Sequence, residues 1–262
     1  MGIYMVESVS KIYQDFKSVM RQVIPSPIWL RLADIKNYFC EQLESIFEWG
    51  NYKAQWFKAD NFAHYQPLPW IGKRSFKRDE STFQRWEAIR KEIDIKNGSA
   101  LDIGSNLGFF SLRLSEMGFY AIGIDMKHGF KVISEYVQKK AGIGNAAFST
   151  MALTPDNISS LPVVDITLFL SVWHHWIKHF GYDKAKAMFE VLWRKTNHVM
   201  FVESGEDSEI KRLNIKEEPS VWIRKELESI CSGGSIKILG TFDKGVHKKK
   251  RDNRTLFAVF KN

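Results

Sequence analysis

The sequence predicts an α/β protein with a mostly parallel sheet and helices on both of its faces. From about residue 99 onward, short apolar segments of strand character alternate with amphipathic helical segments, and this alternation is typical of parallel sheets covered by helices. Apolar residues make up 44% and charged residues 26% of the 262 residues, which favours an ordinary packed core. This length accommodates one large domain and an extension.

We divide the chain between residues 97 and 98. Residues 1–97 are irregular, with apolar residues at helical spacing from Trp29 to Phe47 and a second predicted helix from Ser81 to Glu92. The segment HYQPLPWIGKRSF between them is aromatic and too rich in proline and glycine for a helix. We therefore expect a helical N-terminal extension whose aromatic loop covers substrate and cofactor, and an α/β domain over 98–262.

Seven strands are predicted within the α/β domain, each a short run rich in apolar, β-branched or aromatic residues. In chain order they are SALDIG, FYAIGID, NAAFSTMALT, VVDITLFLSV, HVMFVESG, SIKILGTFD and RTLFAVFKN. The last two have no helix between them and therefore predict a hairpin.

The predicted helices of this domain show apolar residues three and four positions apart. They are FFSLRLSEMG, FKVISEYVQKKAG, DKAKAMFEVLWRKT and PSVWIRKELESICSGG, the last ending at two glycines. Because ligands bind beyond the carboxyl ends of parallel strands, the residues that follow each strand are the candidates for a site.

A glycine-containing turn follows the first predicted strand. The segment LDIGSNLGFF places Asp102 near the strand end and Gly104 and Gly108 in the turn. Neither the GxGxxG spacing of dinucleotide sites nor the GxxxxGK spacing of a P-loop is present, so the turn is not predicted to hold a pyrophosphate. Glycines here let a ligand approach the backbone closely.

The pattern Asp102-x-Gly104-x-x-x-Gly108 resembles the first motif of the class I S-adenosylmethionine-dependent methyltransferases. Asp125 ends the next strand, AIGID, where a carboxylate accepts hydrogen bonds from both ribose hydroxyls. The resemblance implies a Rossmann-like methyltransferase fold, an enzyme, S-adenosylmethionine as cofactor and S-adenosylhomocysteine as product. The cofactor-binding residues expected from it are Asp102, Gly104, Ser105, Asn106, Gly108, Phe110, Asp125, Met126, Met151, Ala152 and Ser171.

The fourth predicted strand ends in the polar segment LFLSVWHHWIKHFG. It resembles the SVxHH segment that small-molecule and glycan methyltransferases carry at the mouth of the substrate site. The resemblance implies that Ser171, His174 and His175 face the transferred methyl group and that Trp173 and Trp176 wall the site. A histidine is suited to deprotonate a hydroxyl acceptor. A phosphate or carboxylate acceptor needs no base, only cations that bind it.

Further substrate contacts are expected from two other places. Tyr65, Lys73 and Arg74 lie in the aromatic loop, and we expect them to contact the cofactor carboxylate or an anionic substrate, with ordinary surface exposure as the alternative. His179 follows the histidine pair, and Glu203 ends the fifth strand, so both lie where ligands bind in such sheets. Simple packing remains the alternative for each histidine.

Basic residues dominate the charge, with a formal net charge of +8, and this favours anionic partners. The segment KGVHKKKRDNR, residues 244–254, predicts either a solvated loop or a site for an anionic substrate. We expect O-methylation of a small molecule or glycan. The alternatives are methylation of RNA or of a terminal phosphate, and a non-catalytic cofactor-binding scaffold.

Several residue patterns are absent from the sequence, and their absence narrows the expected kinds of site, location and methyl acceptor. Cys40 and Cys231 are isolated, without a CxxC pair or clustered histidines, so we predict neither disulfide nor metal and expect a cytoplasmic protein. No apolar stretch reaches the roughly 18 residues of a membrane span, although the helix Trp29–Phe47 leaves peripheral membrane contact open. The signatures for methylating exocyclic amines of DNA bases and carbon-5 of pyrimidines are absent. No obligate protein partner is predicted.

Overall fold

A single seven-stranded sheet has the strand order β3-β2-β1-β4-β5-β7-β6. Strands β1 to β5 are parallel, and β7 is antiparallel to both β5 and β6. A computed structural model describes residues 48–54, 66–72, 79–205, 210–243 and 253–262. The strands are β1 (Gly98–Ile103), β2 (Phe119–Asp125), β3 (Ala146–Thr150), β4 (Val164–Leu170), β5 (Thr196–Glu203), β6 (Ser235–Asp243) and β7 (Asn253–Phe260). The predicted mostly parallel sheet of seven strands is confirmed.

Helices cover both faces of this sheet. They are α1 (Asp79–Lys91), α2 (Phe109–Glu116), α3 (His128–Ala141), α4 (Trp173–Phe180), α5 (Tyr182–Arg194) and α6 (Pro219–Ile230). Alternate residues of a strand point to opposite faces, and β4 shows both. Phe169 packs in the core with α5 and α6, whereas Ile166 and Leu168 pack in the core with α1 and α2.

Helix α4 has no counterpart among the predicted helices, because the segment after β4 was interpreted only as a polar feature of the site. Its apolar residues Trp173, Trp176, Ile177 and Phe180 recur at positions i, i+3, i+4 and i+7, which is the spacing of an amphipathic helix. That spacing was the available signal, and the two adjacent histidines obscured it.

Strands β2 and β3 extend the sheet on one side of β1, and β4 and β5 extend it on the other side. Strand β1 pairs with β2 on one side and with β4 on the other. The connections that follow β1 and β4 therefore leave the sheet beside each other. In open α/β sheets such a point leaves a crevice at the carboxyl ends of the strands, where ligands bind.

Some predictions lie outside the described residues. They concern the helix Trp29–Phe47, the side chains of Tyr65, Lys73 and Arg74, and loop residues 244–252. The basic segment was predicted to extend to Arg254, which was also predicted as the first residue of the last strand, and for this residue only the strand prediction is confirmed. That residue lies in β7 opposite Phe242 and is buried, because it forms part of the ionic cluster described below.

The residues from Tyr52 to Asn262 form one compact unit, which includes α1 and the segment 66–72 as well as the sheet. Of the preceding unit, only residues 48–51 are described, and they are helical. Within the described ranges, no helix combines the length and the apolar composition needed to cross a bilayer.

Candidate active site

The loop that joins β1 to α2, residues 104–108, turns sharply because three of its residues have positive φ. The angles are 73° at Gly104, 53° at Asn106 and 79° at Gly108. Glycine adopts this conformation freely, and asparagine tolerates it better than most residues. A Cβ atom on Gly104 would lie 2.7 Å from Val172, and one on Gly108 would lie 2.5 Å from the Phe148 ring. The loop therefore requires both glycines.

Backbone hydrogen bonds join this glycine loop to the end of β2. The amides of Gly104 and Ser105 donate to the Ile124 carbonyl at 2.8 and 3.0 Å, and the Asn106 amide donates to Asp125 Oδ2 at 3.1 Å. Ser105 itself is buried. These contacts hold the loop and the Asp125 carboxylate in one rigid unit.

The Asp125 carboxylate is half-buried and has hydrogen-bonding capacity left. Its Oδ1 accepts a second backbone bond, from the Lys127 amide at 2.9 Å. Burial raises the pKa of Asp125, although the backbone donors oppose that rise. Each carboxylate oxygen accepts more than one hydrogen bond, so Asp125 can also take the two hydroxyls of a diol. A loop without a phosphate cradle, next to such a carboxylate, fits an adenosylmethionine-like nucleoside.

Asp102 lies beneath the loop and is tied to α2. Its Oδ2 accepts from the Ser111 hydroxyl at 2.7 Å, and the Ser111 backbone also donates to this carboxyl. Burial raises the pKa of Asp102 to about 7, and the nearby charge of Asp125 adds to the rise. The role that these contacts support is to hold β1 to the start of α2, and direct contact with a cofactor stays a prediction.

The other expected cofactor contacts occupy different surroundings. Met126 is 68% exposed beside Asp125, and the Met151 amide donates to the Asp125 carbonyl at 2.9 Å. Ala152 follows and is exposed. Phe110, in contrast, is buried in the core. Cofactor contact by Met126, Met151 and Ala152 stays a prediction, while packing explains the surroundings of Phe110.

A buried ionic cluster lies at the carboxyl ends of β4 and β5, formed by Arg85, Ser171, Glu203 and Arg254; we call it the Glu203 cluster. Glu203 is 2% exposed. It accepts two bonds from Arg85 Nη1, at 3.0 and 3.2 Å, and one from the Ser171 hydroxyl. Arg254 donates to Ser171 and lies 3.5 Å from Glu203 Oε2.

The cluster determines the ionisation of Glu203 and the conformation of Ser171. Burial alone would raise the pKa of Glu203, but Arg85 and Arg254 outweigh it and lower the pKa below its ordinary value. Ser171 adopts a φ of 59°, which is unfavourable for a residue other than glycine. Its hydroxyl binds within the cluster, so a direct role in methyl transfer stays a prediction.

The paired histidines differ in exposure. His174 is buried, and a Cβ atom on Gly205 would lie 3.1 Å from its Nδ1. His175 is exposed, with its ring centroid 4.1 Å from that of His174. His179, also exposed, lies four residues further along α4 and therefore shares the face of His175.

The two tryptophans expected to wall the site lie in the hydrophobic core. Trp173 stacks on Trp222 of α6 with centroids 4.8 Å apart and planes 11° apart. Trp176 packs against Phe169 of β4 at 4.8 Å. Packing explains the burial of both rings, and a role at the acceptor site stays a prediction.

These elements meet at one edge of the sheet. Val172 lies against Gly104, and His174 lies against Gly205, so the start of α4 sits between the glycine loop and the end of β5. Among the described side chains, no group of three or more His, Cys, Asp or Glu residues is arranged to hold a metal. A separate open groove of about 680 Å³ lies between α1 and β6, away from this edge.

Two residues of this edge escaped the sequence analysis. Arg85 joins Glu203 across 118 positions, and Gln66 accepts a hydrogen bond from the Phe109 amide across 43 positions. Neither stands in a recognisable motif. The signal for Arg85 was a charged side chain on the apolar face of a predicted helix. No sequence feature indicated a role for Gln66.

Comparison with solved structures identifies the fold. The methyltransferase-containing protein WbdD, described as a bifunctional kinase-methyltransferase, superposes with a TM-score of 0.58 at 20% identity over 74% of this chain and 43% of that one. This chain therefore spans less than half the length of WbdD. No protein-family model and no curated protein sequence matches the chain.

Magnesium protoporphyrin IX methyltransferase (ChlM) from Synechocystis PCC 6803 shows the same likeness. Its structure with bound SAM has a TM-score of 0.51 at 16% identity, covering 70% of this chain and 80% of that one. The structure with SAH has a TM-score of 0.51 at 15% identity. Together with the strand order and the glycine loop, these likenesses show that the chain has the fold of the class I S-adenosylmethionine-dependent methyltransferases.

Proposed function

We propose that this protein is an S-adenosylmethionine-dependent methyltransferase. The observation that carries the proposal is the rigid unit formed by the glycine loop and Asp125, in which the Asn106 amide binds the carboxylate that we assign to the ribose diol. Its setting adds support, because the unit lies at the switch point of a methyltransferase fold. Solved proteins of this fold include one that holds SAM and SAH.

Each part of the site has a separate task in this proposal. The cofactor supplies a methyl group on a sulfonium, which is already a good leaving group, so the protein mainly has to align the acceptor and exclude water. Asp125 orients the nucleoside through its hydroxyls, and the glycine loop permits close approach of the methionyl part. Met126 and Met151 border the adenine.

We further propose that the acceptor is a hydroxyl of a small molecule or glycan, bound beside α4. His175 is the member of the pair that supports this best, because it is exposed at the start of α4 while His174 is buried. An imidazole there would accept the hydroxyl proton as the oxygen attacks the methyl carbon. His179 on the same face would contact the acceptor.

Calorimetry with S-adenosylhomocysteine tests the cofactor proposal. We expect the wild type to bind, and Asp125→Ala to weaken binding at least tenfold, because two hydrogen bonds to a carboxylate are lost. Asp183→Asn is the matched control, since Asp183 is an exposed carboxylate on α5, and it should bind like the wild type. Absence of any heat with the wild type would refute the proposal.

The acceptor is tested by measuring S-adenosylhomocysteine formation with a panel of sugars, small phenols and alcohols, phosphorylated sugars and RNA. Turnover with a neutral hydroxyl compound that falls in His175→Ala and follows a histidine-like pH dependence supports the proposal. Turnover only with RNA, with affinity that falls steeply as salt rises, would instead assign the alternative acceptor class. Cofactor binding without turnover on any member would favour the scaffold alternative.

A further inference from the structure

The segment 66–72 lies along helix α2 and is fastened to it at several points. Leu68 is fully buried in a core that also contains Leu107 of the glycine loop. Trp70 Nε1 donates to Glu116 at 2.6 Å, near the end of α2, and the Arg113 guanidinium lies 4.9 Å from the Trp70 ring. The segment 66–72 is therefore packed into the domain beside the glycine loop.

Gln66 is held at the opposite end of α2, where the glycine loop becomes the helix. Its Oε1 accepts a hydrogen bond from the amide of Phe109, the first residue of α2, at 3.2 Å. Gln66 is 5% exposed. Only the oxygen of a carboxamide accepts from an amide, so this contact determines which end of the side chain carries the donor.

The donor end of Gln66 has no partner among the described residues. Its Nε2 donates to none of them, and only the Oε1 contact to Phe109 ties the side chain. Among the described residues, Nε2 is not one of the fully buried side-chain atoms that lack a hydrogen-bond partner, so a ligand or water can reach it and accept from it. The start of a helix favours negative charge as well, because its first amides point outward with a partial positive charge.

We propose that Gln66 binds the carboxylate of the cofactor's methionyl part through Nε2, so that the segment 66–72 completes the cofactor site. The inference rests on the proposed function, which places the methionyl part against the glycine loop, and Phe109 directly follows that loop. The carboxylate is the one negatively charged group of that cofactor, and Gln66 offers a neutral donor next to a helix start. Gln66 thereby selects a cofactor that carries its amino-acid part.

Two ligands separate this role from general effects on the site. S-adenosylhomocysteine carries the carboxylate, whereas 5′-methylthioadenosine has the same nucleoside and sulfur but no amino-acid part. Calorimetry of the full chain with both ligands should show Gln66→Ala weakening S-adenosylhomocysteine about tenfold or more, with little change for methylthioadenosine. Gln84→Ala, which removes an exposed glutamine of α1, is the control and should change neither affinity.

The variant Gln66→Glu separates ligand binding from helix capping. It keeps an oxygen for the Phe109 amide and suits a helix start, but it replaces the Nε2 donor with negative charge. We expect it to weaken S-adenosylhomocysteine more than Gln66→Ala does, while leaving methylthioadenosine binding and the melting temperature near wild-type values.

Results that would overturn the role of Gln66 differ from the result that would overturn the proposed function. Wild-type affinity for S-adenosylhomocysteine in Gln66→Glu would reduce Gln66 to a helix cap and overturn the inference. An equal loss for both ligands in Gln66→Ala would do the same, by showing that the loop itself had shifted. If the wild type binds neither ligand, the proposed function fails together with this inference, and a melting curve showing folded protein distinguishes that case from misfolding.

Discussion

At the scale of single residues, the surroundings of two buried carboxyl groups, Asp102 and Glu203, shift their pKa values in opposite directions. Asp102 is buried with Ser111 as its hydrogen-bond partner, and its pKa rises to about 7. Glu203 is equally buried but is flanked by two arginines, and its pKa falls. The difference lies in compensating charge, since burial opposes ionisation in both.

The raised pKa of Asp102 makes stability depend on pH. A carboxyl whose pKa is higher in the folded state contributes its stability below the unfolded value of 3.8, and that contribution is lost as pH rises towards 7. The variant Asp102→Asn cannot ionise. Its free energy of unfolding relative to the wild type should therefore rise between about pH 4 and pH 7, by at most about 1.4 kcal/mol per pH unit.

Urea unfolding at several pH values measures this difference. The offset between the two proteins at pH 4 reports the changed hydrogen bond to Ser111, whereas the slope reports the ionisation alone. A difference that stays flat from pH 4 to pH 7 would contradict a raised pKa for Asp102.

At the scale of elements, the turn from β1 into α2 is decided by backbone conformation and packing together. Gly108 has a φ of 79°, and a Cβ atom on it would meet the Phe148 ring at 2.5 Å. Gly142, which ends α3, has a similar φ of 67° but nothing within 4 Å of its Cβ position. The two glycines therefore separate conformational strain from steric overlap.

We expect Gly108→Ala to destabilise the protein by about 2–4 kcal/mol, from left-handed strain plus overpacking. Gly142→Ala should cost only the strain, about 1–2 kcal/mol. Thermal or urea unfolding of both variants provides the measurement. Equal losses would mean that Phe148 moves aside freely and that the glycine loop is not packed as described.

The same reasoning shows why the motif elements were predictable and α4 was not. A loop of glycines and a strand-ending aspartate are local features, so the spacing from Asp102 to Asp125 indicated both the turn and the carboxylate. In α4, the helical spacing of the apolar residues was present, but two histidines after a strand also fit a polar loop. Packing of Trp173 on Trp222, a distant contact, stabilises the helix.

At the scale of the whole molecule, the Glu203 cluster joins parts of the chain that are far apart in sequence. It links α1 through Arg85, the end of β4 through Ser171, β5 through Glu203 and β7 through Arg254. Removing one member of a buried ionic cluster leaves the others with uncompensated charge, which is far more costly than losing an exposed pair.

Glu203→Ala should therefore lower the free energy of unfolding by about 3–5 kcal/mol at pH 7. Glu228→Ala, which breaks the exposed pair with Arg224 on α6, is the control and should change it by no more than about 0.5 kcal/mol. Because the pKa of Glu203 is lowered, its stabilisation is present above the unfolded value of 4.5 and is lost as pH falls through the lower folded value. Similar losses for both variants at pH 7 would contradict a structural role for the cluster.

By itself, the sequence determined the seven strands, the helices that alternate with them apart from α4, the presence of the glycine turn and the position of Asp125 at the end of β2. These depend on periodicity and on residues close in the chain, so one strand and its turn suffice to specify them. Only the tertiary structure decided that Gln66 meets Phe109, that Arg85 and Arg254 converge on Glu203, and that Trp173 turns into the core. Such contacts join residues 43 or more positions apart, and they depend on how helices pack on the finished sheet, which no local pattern encodes.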